Sequence, residues 1–286
     1  MRSDSGGTTA PYCFPAGQSN VLRLKALSAA FTRPLGACMD LPHVALVEKA
    51  STQQRRAPAS QYTIEALSRL EVPSDARIVT ISGPPSEFVH FLEPIRQRSR
   101  DGRLMGPDLA RRLRRLHPNT IPLSLQNQVA ASISMEFGLT GPCVNLIEGA
   151  TAFADVLHIL EPAKDRETAL LVMSSAADRS EQRELTRLKF PDSVLVEGAI
   201  CFLFSPDGEL GCMGTTPTPA KSVDRPNLEG GPVTALPPGW PHAPCLQGGM
   251  CVLWALASGM RSGRFRLSDG HGYEASFDWQ RSSSQS

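Results

Sequence analysis

Short apolar runs alternate along this chain with segments whose apolar residues recur at helical spacing. Val21–Ala30 (VLRLKALSAA) opens with Val-Leu-x-Leu and predicts a first strand, closed by a turn at Thr32–Gly36. Tyr62–Leu70 places Ile64, Leu67 and Leu70 on one helical face, and Pro73 follows where a helix should stop. Arg77–Gly83 (RIVTISG) is a β-branched run ended by glycine and two prolines, which predicts a buried strand. Asp108–Asn119 (DLARRLRRLHPN) predicts a helix ending before Pro118, with Leu109, Leu113 and Leu116 on its apolar face. Arg111, Arg112, Arg114 and Arg115 surround that face.

Ser124–Gly138 reads as a helix with small residues on its face, Cys143–Ile147 as a strand, and Ala150–Leu160 as an apolar helix buried on most sides. Ala169–Ala176 is a candidate central strand. Val194–Phe204 is another, with Pro206-Asp207-Gly208 as its turn. From Gly214 to Trp240 proline and glycine dominate, which reads as an irregular connection. Gly248–Met260 then predicts an apolar helix and Tyr273–Trp279 a last strand. Strands alternating with helices predict a layered α/β fold.

At 286 residues the chain is long enough for one large domain or two modest ones. A formal net charge of +1 argues against a global field for nucleic acid or membrane, and there is no nucleic-acid recognition motif. The seven cysteines have no CxxC spacing, so neither a structural zinc site nor any other metal or cofactor is expected. Their apolar surroundings suggest reduced thiols and a cytoplasmic protein. The N-terminal segment lacks a long apolar run and does not read as a signal peptide. No stretch reaches 18 apolar residues, so no membrane span is expected.

Gly141–Leu160 (GPCVNLIEGATAFADVLHIL) resembles the nucleophile segment of thiolase-fold condensing enzymes, the β-ketoacyl synthases, which reads roughly GPSxTxDTACSSSLxALHLA. Aligned from Gly141-Pro142, the family's acyl-carrying cysteine falls on Ala150. A methyl group cannot form a thioester. Asn127–Cys143 is similar to the family's NxxAxxISxxxGLxGPS helix and turn, and Glu197–Gly208 to its EGAGALVLE strand. His242–Gly249 (HAPCLQGG) resembles HTxGAAG, whose histidine helps activate the malonyl unit; His242 and Gly248 fall on its first and last residues. His271–Ser276 sits where the family has FGGxNAS. The family's TxTxxGD-type histidine segment and its lysine are missing, and the chain is over a hundred residues shorter than a full member.

The resemblance implies a thiolase-like, layered α-β-α-β-α fold with a truncated second half. It divides the chain into a loose N-terminus (1–19), a ketosynthase N-terminal-like domain (20–212), a Pro/Gly-rich connection (213–241), a remnant of the second half (242–279) and a tail (280–286). Missing strands are expected to leave edges or apolar surface for a partner to cover. Chain-length factors keep this fold without the cysteine and pair with a catalytic ketosynthase. A role of that kind is the expectation here, in fatty acid, aryl-polyene or polyketide-type synthesis, with acyl carrier protein delivering the substrate.

Several residues carry two readings. His242 either stabilises an enolate or thioester oxygen, in which case the chain is a non-covalent malonyl-thioester decarboxylase, or caps the following helix. A third possibility is a homodimeric acyl-binding or regulatory protein. By the resemblance, Ser124, Asn127 and Met135 lie near a dimer interface and acyl channel. Phe153 either closes such a channel or is plain core. Arg111, Arg112, Arg114 and Arg115, extended by Arg96, Arg98, Arg100 and Arg103, either attract an acidic carrier protein or form a solvated helix face. Cys143 is expected to be a small buried residue and His158 a satisfied core histidine. Glu148 and Asp155, flanking the former nucleophile position, are candidates for buried, paired carboxylates.

Overall fold

The computed structural model describes residues 21–49, 56–82, 127–147, 151–160, 167–176, 196–215, 233–234, 244–268 and 274–282. The first half contains β1 (Val21–Phe31), β2 (Val44–Leu46), helix α1 (Pro58–Leu67), β3 (Arg77–Ser82), α2 (Gln128–Phe137), β4 (Cys143–Ile147), α3 (Ala152–Leu160), β5 (Ala169–Ser175) and β6 (Gly198–Phe204). The second contains β7 (Gly211–Thr215), β8 (Val233–Thr234), α4 (Gln247–Ala257), β9 (Ser262–Ser268) and β10 (Glu274–Arg281).

The strands run β4-β3-β5-β6-β1-β7-β10-β9-β8, with β2 beside β1. This order contains a repeat. β3 is parallel to β5, β5 antiparallel to β6, and β6 antiparallel to β1. In the second half β8 is parallel to β9, β9 antiparallel to β10, and β10 antiparallel to β7. The two sets meet where β1 pairs antiparallel with β7.

The chain leaving β6 crosses the β1 backbone to become β7. Ser205 N donates to Arg23 O at 3.1 Å and Leu210 N to Leu24 O at 3.0 Å. A Cβ on Gly208 would stand 2.7 Å from the Leu24 carbonyl carbon, so only glycine fits this crossing. The β1–β6 register shifts between Leu24 and Ala26, and Lys25 at that irregularity pairs with Asp207 at 2.9 Å. Asp207 is held below the usual carboxylate range, first by its bond from Ser205 and then by Lys25.

Alternation along each strand sorts the side chains into layers. On one face of the first half, Ile78, Leu170, Val172, Ala199 and Cys201 pack against Tyr62, Ala66 and Leu67 of α1 and Val129 and Ile133 of α2. On the other face, Val79, Ile81, Leu171, Met173, Ile200 and Phe202 pack with α3 and α4, which also bury Met213, Phe265, Phe277 and Trp279 of the second half. The order among the described residues is therefore helices, sheet, helices, sheet. Across β9 and β10, Arg264 pairs with the buried Asp278 at 2.7 Å, and the exposed Arg266 pairs with Glu274.

Four strands escape the sequence patterns used above: β2, β7, β8 and β9. In β9 the signal is visible afterwards, since Phe265 and Leu267 enter the core between outward Arg264 and Arg266. The expected irregular connection after Gly214 contains the end of β7 and the short strand β8. The tail expected from residue 280 is also shortened, because β10 runs to Arg281. The predicted arginine-rich helix lies outside the described residues.

The two middle-layer helices cross closely. Phe153 is fully buried, 4.8 Å from Phe277 and 6.1 Å from Phe202 between ring centroids, both edge-on. A Cβ on Gly248 would fall 2.2 Å from Phe153 Cγ, and one on Gly249 would fall 2.9 Å from Met173 Sδ and from Ile200 Cδ1. Gly248→Ala should therefore lower stability by about 1–3 kcal/mol through overpacking, despite alanine's better helix propensity. A urea titration should show a lower midpoint with unchanged slope, partly restored by Phe153→Leu. A neutral or stabilising Gly248→Ala would refute the close crossing.

Candidate functional site

The site suggested by sequence is a strand–connection–helix unit. β4 ends at Ile147 and α3 begins at Ala152, and Ala150 lies in sequence between them. Ala150 itself is outside the described residues, as are Ser124, Glu148, His242 and Arg96, Arg98, Arg100, Arg103, Arg111, Arg112, Arg114 and Arg115. The helix that follows His242, α4, starts at Gln247 after a single 3-10 turn, Pro244–Leu246.

The three candidate channel or interface residues that are described do not converge. Asn127 precedes α2 and is exposed; its carbonyl accepts from Ala131 N at 3.0 Å, while its side chain makes no capping bond. Met135 projects from α2 with 80% of its surface exposed. Phe153 lies on the opposite face of the sheet, sealed in the aromatic cluster between α3, α4 and the second half.

Other expectations need correcting. Cys143 is exposed, at the start of edge strand β4. His158 is satisfied but exposed: its Nδ1 lies 3.2 Å from Thr215 Oγ1 of β7. Asp155 is exposed rather than buried and paired. Among the described residues β4 pairs with a strand on one side only, and α3, though buried along most of its length, leaves Asp155 and His158 outside the core.

The structure also shows a buried polar link that local sequence does not reveal. Glu197, 8% exposed in its side chain, accepts from Tyr62 Oη at 3.1 Å and pairs with Lys49 Nζ at 3.3 Å. Its carbonyl accepts from Thr32 N at 3.0 Å. The link ties α1 and the end of β1 to the entry of β6. The residues are far apart in sequence, so no local motif marks it.

At the margin of the first half, β4 pairs with β3 along one side, and its other side carries no strand among the described residues. Its alternate residues Val144 and Leu146 are only partly buried against the core. Thr80 Oγ1 donates to Asn145 Oδ1 at 2.5 Å, which fixes β4 against β3. α2 and α3 pack on the neighbouring strand β3, from opposite faces of the sheet.

No sequence-family model matches the chain, and no curated protein matches its sequence. Solved structures do match its shape. The chain is similar to a structure of a ketosynthase in complex with its chain length factor from Xenorhabdus doucetiae, at 14% identity and a TM-score of 0.54, covering 91% of this chain and 99% of that one. It is similar to an ishigamide ketosynthase/chain length factor at 13% identity and a TM-score of 0.58, covering 92% and 99%. A type II polyketide acyl-carrier protein in complex with its ketosynthase matches at 9% identity and a TM-score of 0.55, with the same coverage. The chain therefore has the layered α/β, thiolase-like fold of ketosynthases. Among the described residues, no helix is long and apolar enough to cross a membrane.

The buried thiols give a further check. Burial pushes Cys201 and Cys251 up to about 12 and Cys38 up to about 11. In the unfolded chain thiols ionise near pH ~8.5, so above that pH the unfolded state loses protons first. Stability should fall as pH rises from about 9 towards 12, and Cys201→Ala should flatten the slope. Among the described cysteines, alkylation of the native protein followed by peptide mass analysis should label Cys143 first and spare Cys201 and Cys251. Early labelling of Cys201 would contradict the packing.

Proposed function

We propose that this chain is a non-catalytic ketosynthase-like subunit. It pairs with a catalytic β-ketoacyl synthase in fatty acid, aryl-polyene or polyketide-type synthesis and shapes the channel that holds the growing acyl chain. The observation that carries this reading is the combination of a ketosynthase fold with alanine at position 150, between β4 and α3, where the family's thioester-forming cysteine aligns. An alanine there leaves the fold intact and removes covalent acyl transfer, because no nucleophile remains to be activated by the helix N-terminus.

The partner supplies the cysteine, and acyl carrier protein delivers the substrate. The side of β4 away from β3, where no described strand pairs, is the seat this reading gives the partner, and the partly buried Val144 and Leu146 would gain cover there. In this reading Arg111, Arg112, Arg114 and Arg115 attract the acidic carrier.

The test is an acyl-transfer trap read by intact mass. Incubated alone with acyl-loaded carrier protein, the chain should gain no acyl mass. In the co-expressed pair, the acyl group should appear on the partner's cysteine. An acyl adduct on this chain would overturn the reading. Malonyl-thioester decarboxylation by the chain alone, lost in His242→Ala, would replace it with a non-covalent enzyme.

A further inference from the structure

Among the described residues, Arg281 Nε is the buried side-chain atom of a charged group that has no hydrogen-bond partner; the others left without one belong to the neutral Ser28, Ser174 and Gln247. A buried donor on a charged group is more costly to leave unpaired than a neutral one. Arg281 ends β10 and continues the core-facing row of Phe277 and Trp279, at the point where the strand leaves the core. Its amide donates to Arg261 O at 2.7 Å, and the β9–β10 register, with Gln280 opposite Ser262, sets Arg261 directly opposite Arg281. Directly opposed side chains of an antiparallel pair lie on one face, so two arginine side chains leave the sheet side by side.

Among the described residues no carboxylate neutralises this pair. On the other side of Arg281, β7 offers Gly211, and the Trp279 ring takes the room of a side chain there: a Cβ would fall 2.3 Å from Trp279 Cη2. Glu209, two positions before Gly211, is exposed and forms no ion pair with either arginine. The end of α4, which leads into Arg261, does not use the guanidinium groups as caps. Trp254 O accepts from Ser258 N at 2.9 Å, Leu256 O from Gly259 N at 3.1 Å and Ala255 O from Met260 N at 2.9 Å. Met260 O accepts from Trp279 Nε1 at 3.4 Å. Like charges directly opposite each other destabilise a strand pair, so Arg261 and Arg281 weaken this sheet end unless an anion joins them.

We propose that Arg261 and Arg281 bind a phosphate-class dianion, either free phosphate or the phosphoryl group of a larger ligand. Two guanidinium groups supply two positive charges and two planar donor forks, the geometry that suits phosphate oxygens. A dianion neutralises both arginines and gives Arg281 Nε its acceptor, whereas a monocarboxylate neutralises only one. Arg261 is exposed and Arg281 half-buried, so the anion reaches the pair from solvent. The site stands past the carboxyl end of α4, roughly 15 Å along the helix from Gln247 at its other end, and it does not rest on the pairing reading.

The experiment follows thermal unfolding and calorimetric binding of the full chain in sodium phosphate, glycerol 3-phosphate and sodium chloride at equal ionic strength. It compares wild type, Arg281→Gln, Arg261→Gln and the control Arg69→Gln, exposed just after α1. Phosphate should raise the wild-type melting temperature above its value in chloride. Its general effect as a solute is shared by every variant, so the part lost in Arg281→Gln reports the site. Each of the two site variants should weaken phosphate binding about tenfold, and the control should stay within about twofold. In chloride, Arg261→Gln should melt no lower than wild type, because it removes a like-charge contact; an arginine with a purely structural role would lose stability there too. Tighter binding of glycerol 3-phosphate than of phosphate would assign the site to a phosphoryl-bearing ligand, and the reverse order to the free ion. A wild type that binds neither, or site variants that bind phosphate as tightly as wild type, would overturn the proposal.

Discussion

The pairing of β1 with strands from both halves holds this molecule together. Its eleven residues give one part of their backbone to β6 and another to β7, while the chain between β6 and β7 passes directly over it. Only glycine fits at the closest point of that crossing. Because β1 belongs to both sheets, the two halves cannot swing apart like separate domains. The space between the sheets has a fixed width, and α3 and α4 must fill it side by side.

That constraint explains the character of the middle layer. The helices fit because two glycines of α4 accept the Phe153 ring and the Met173 and Ile200 side chains without intervening Cβ atoms. The space between them is packed with aromatic rings. The α3–α4 crossing is a filled core, and the exposed polar groups of α3 lie on the side of the helix away from it.

The fold was legible in sequence wherever a single period governed a segment. Cys143–Ile147 and Ala169–Ser175 read correctly as strands because their apolar residues are continuous, and Gln247–Ala257 as a helix because it is apolar all round. β9 was missed because two arginines disguised its alternation, and β7 because five small residues carry almost no pattern. For the site, the alignment to Ala150 could be made from local residues. The exposure of Cys143, Asp155 and His158 could not, since it depends on where the layers stop. Nor could the bond from Tyr62 to Glu197, which joins positions 135 apart in the sequence. Met135 was rightly placed on a helix, but that helix starts only after Asn127, and Phe153 falls on the other face of the sheet, a separation set by topology alone.

The central claim is that this chain completes itself against a catalytic partner. Its most direct test is co-purification with the ketosynthase encoded nearest to it, followed by native mass determination. The account expects a stoichiometric heterodimer. A lone monomer, or a homodimer that ignores the ketosynthase under every condition tried, would contradict it and point to a protein that binds or decarboxylates its ligand alone.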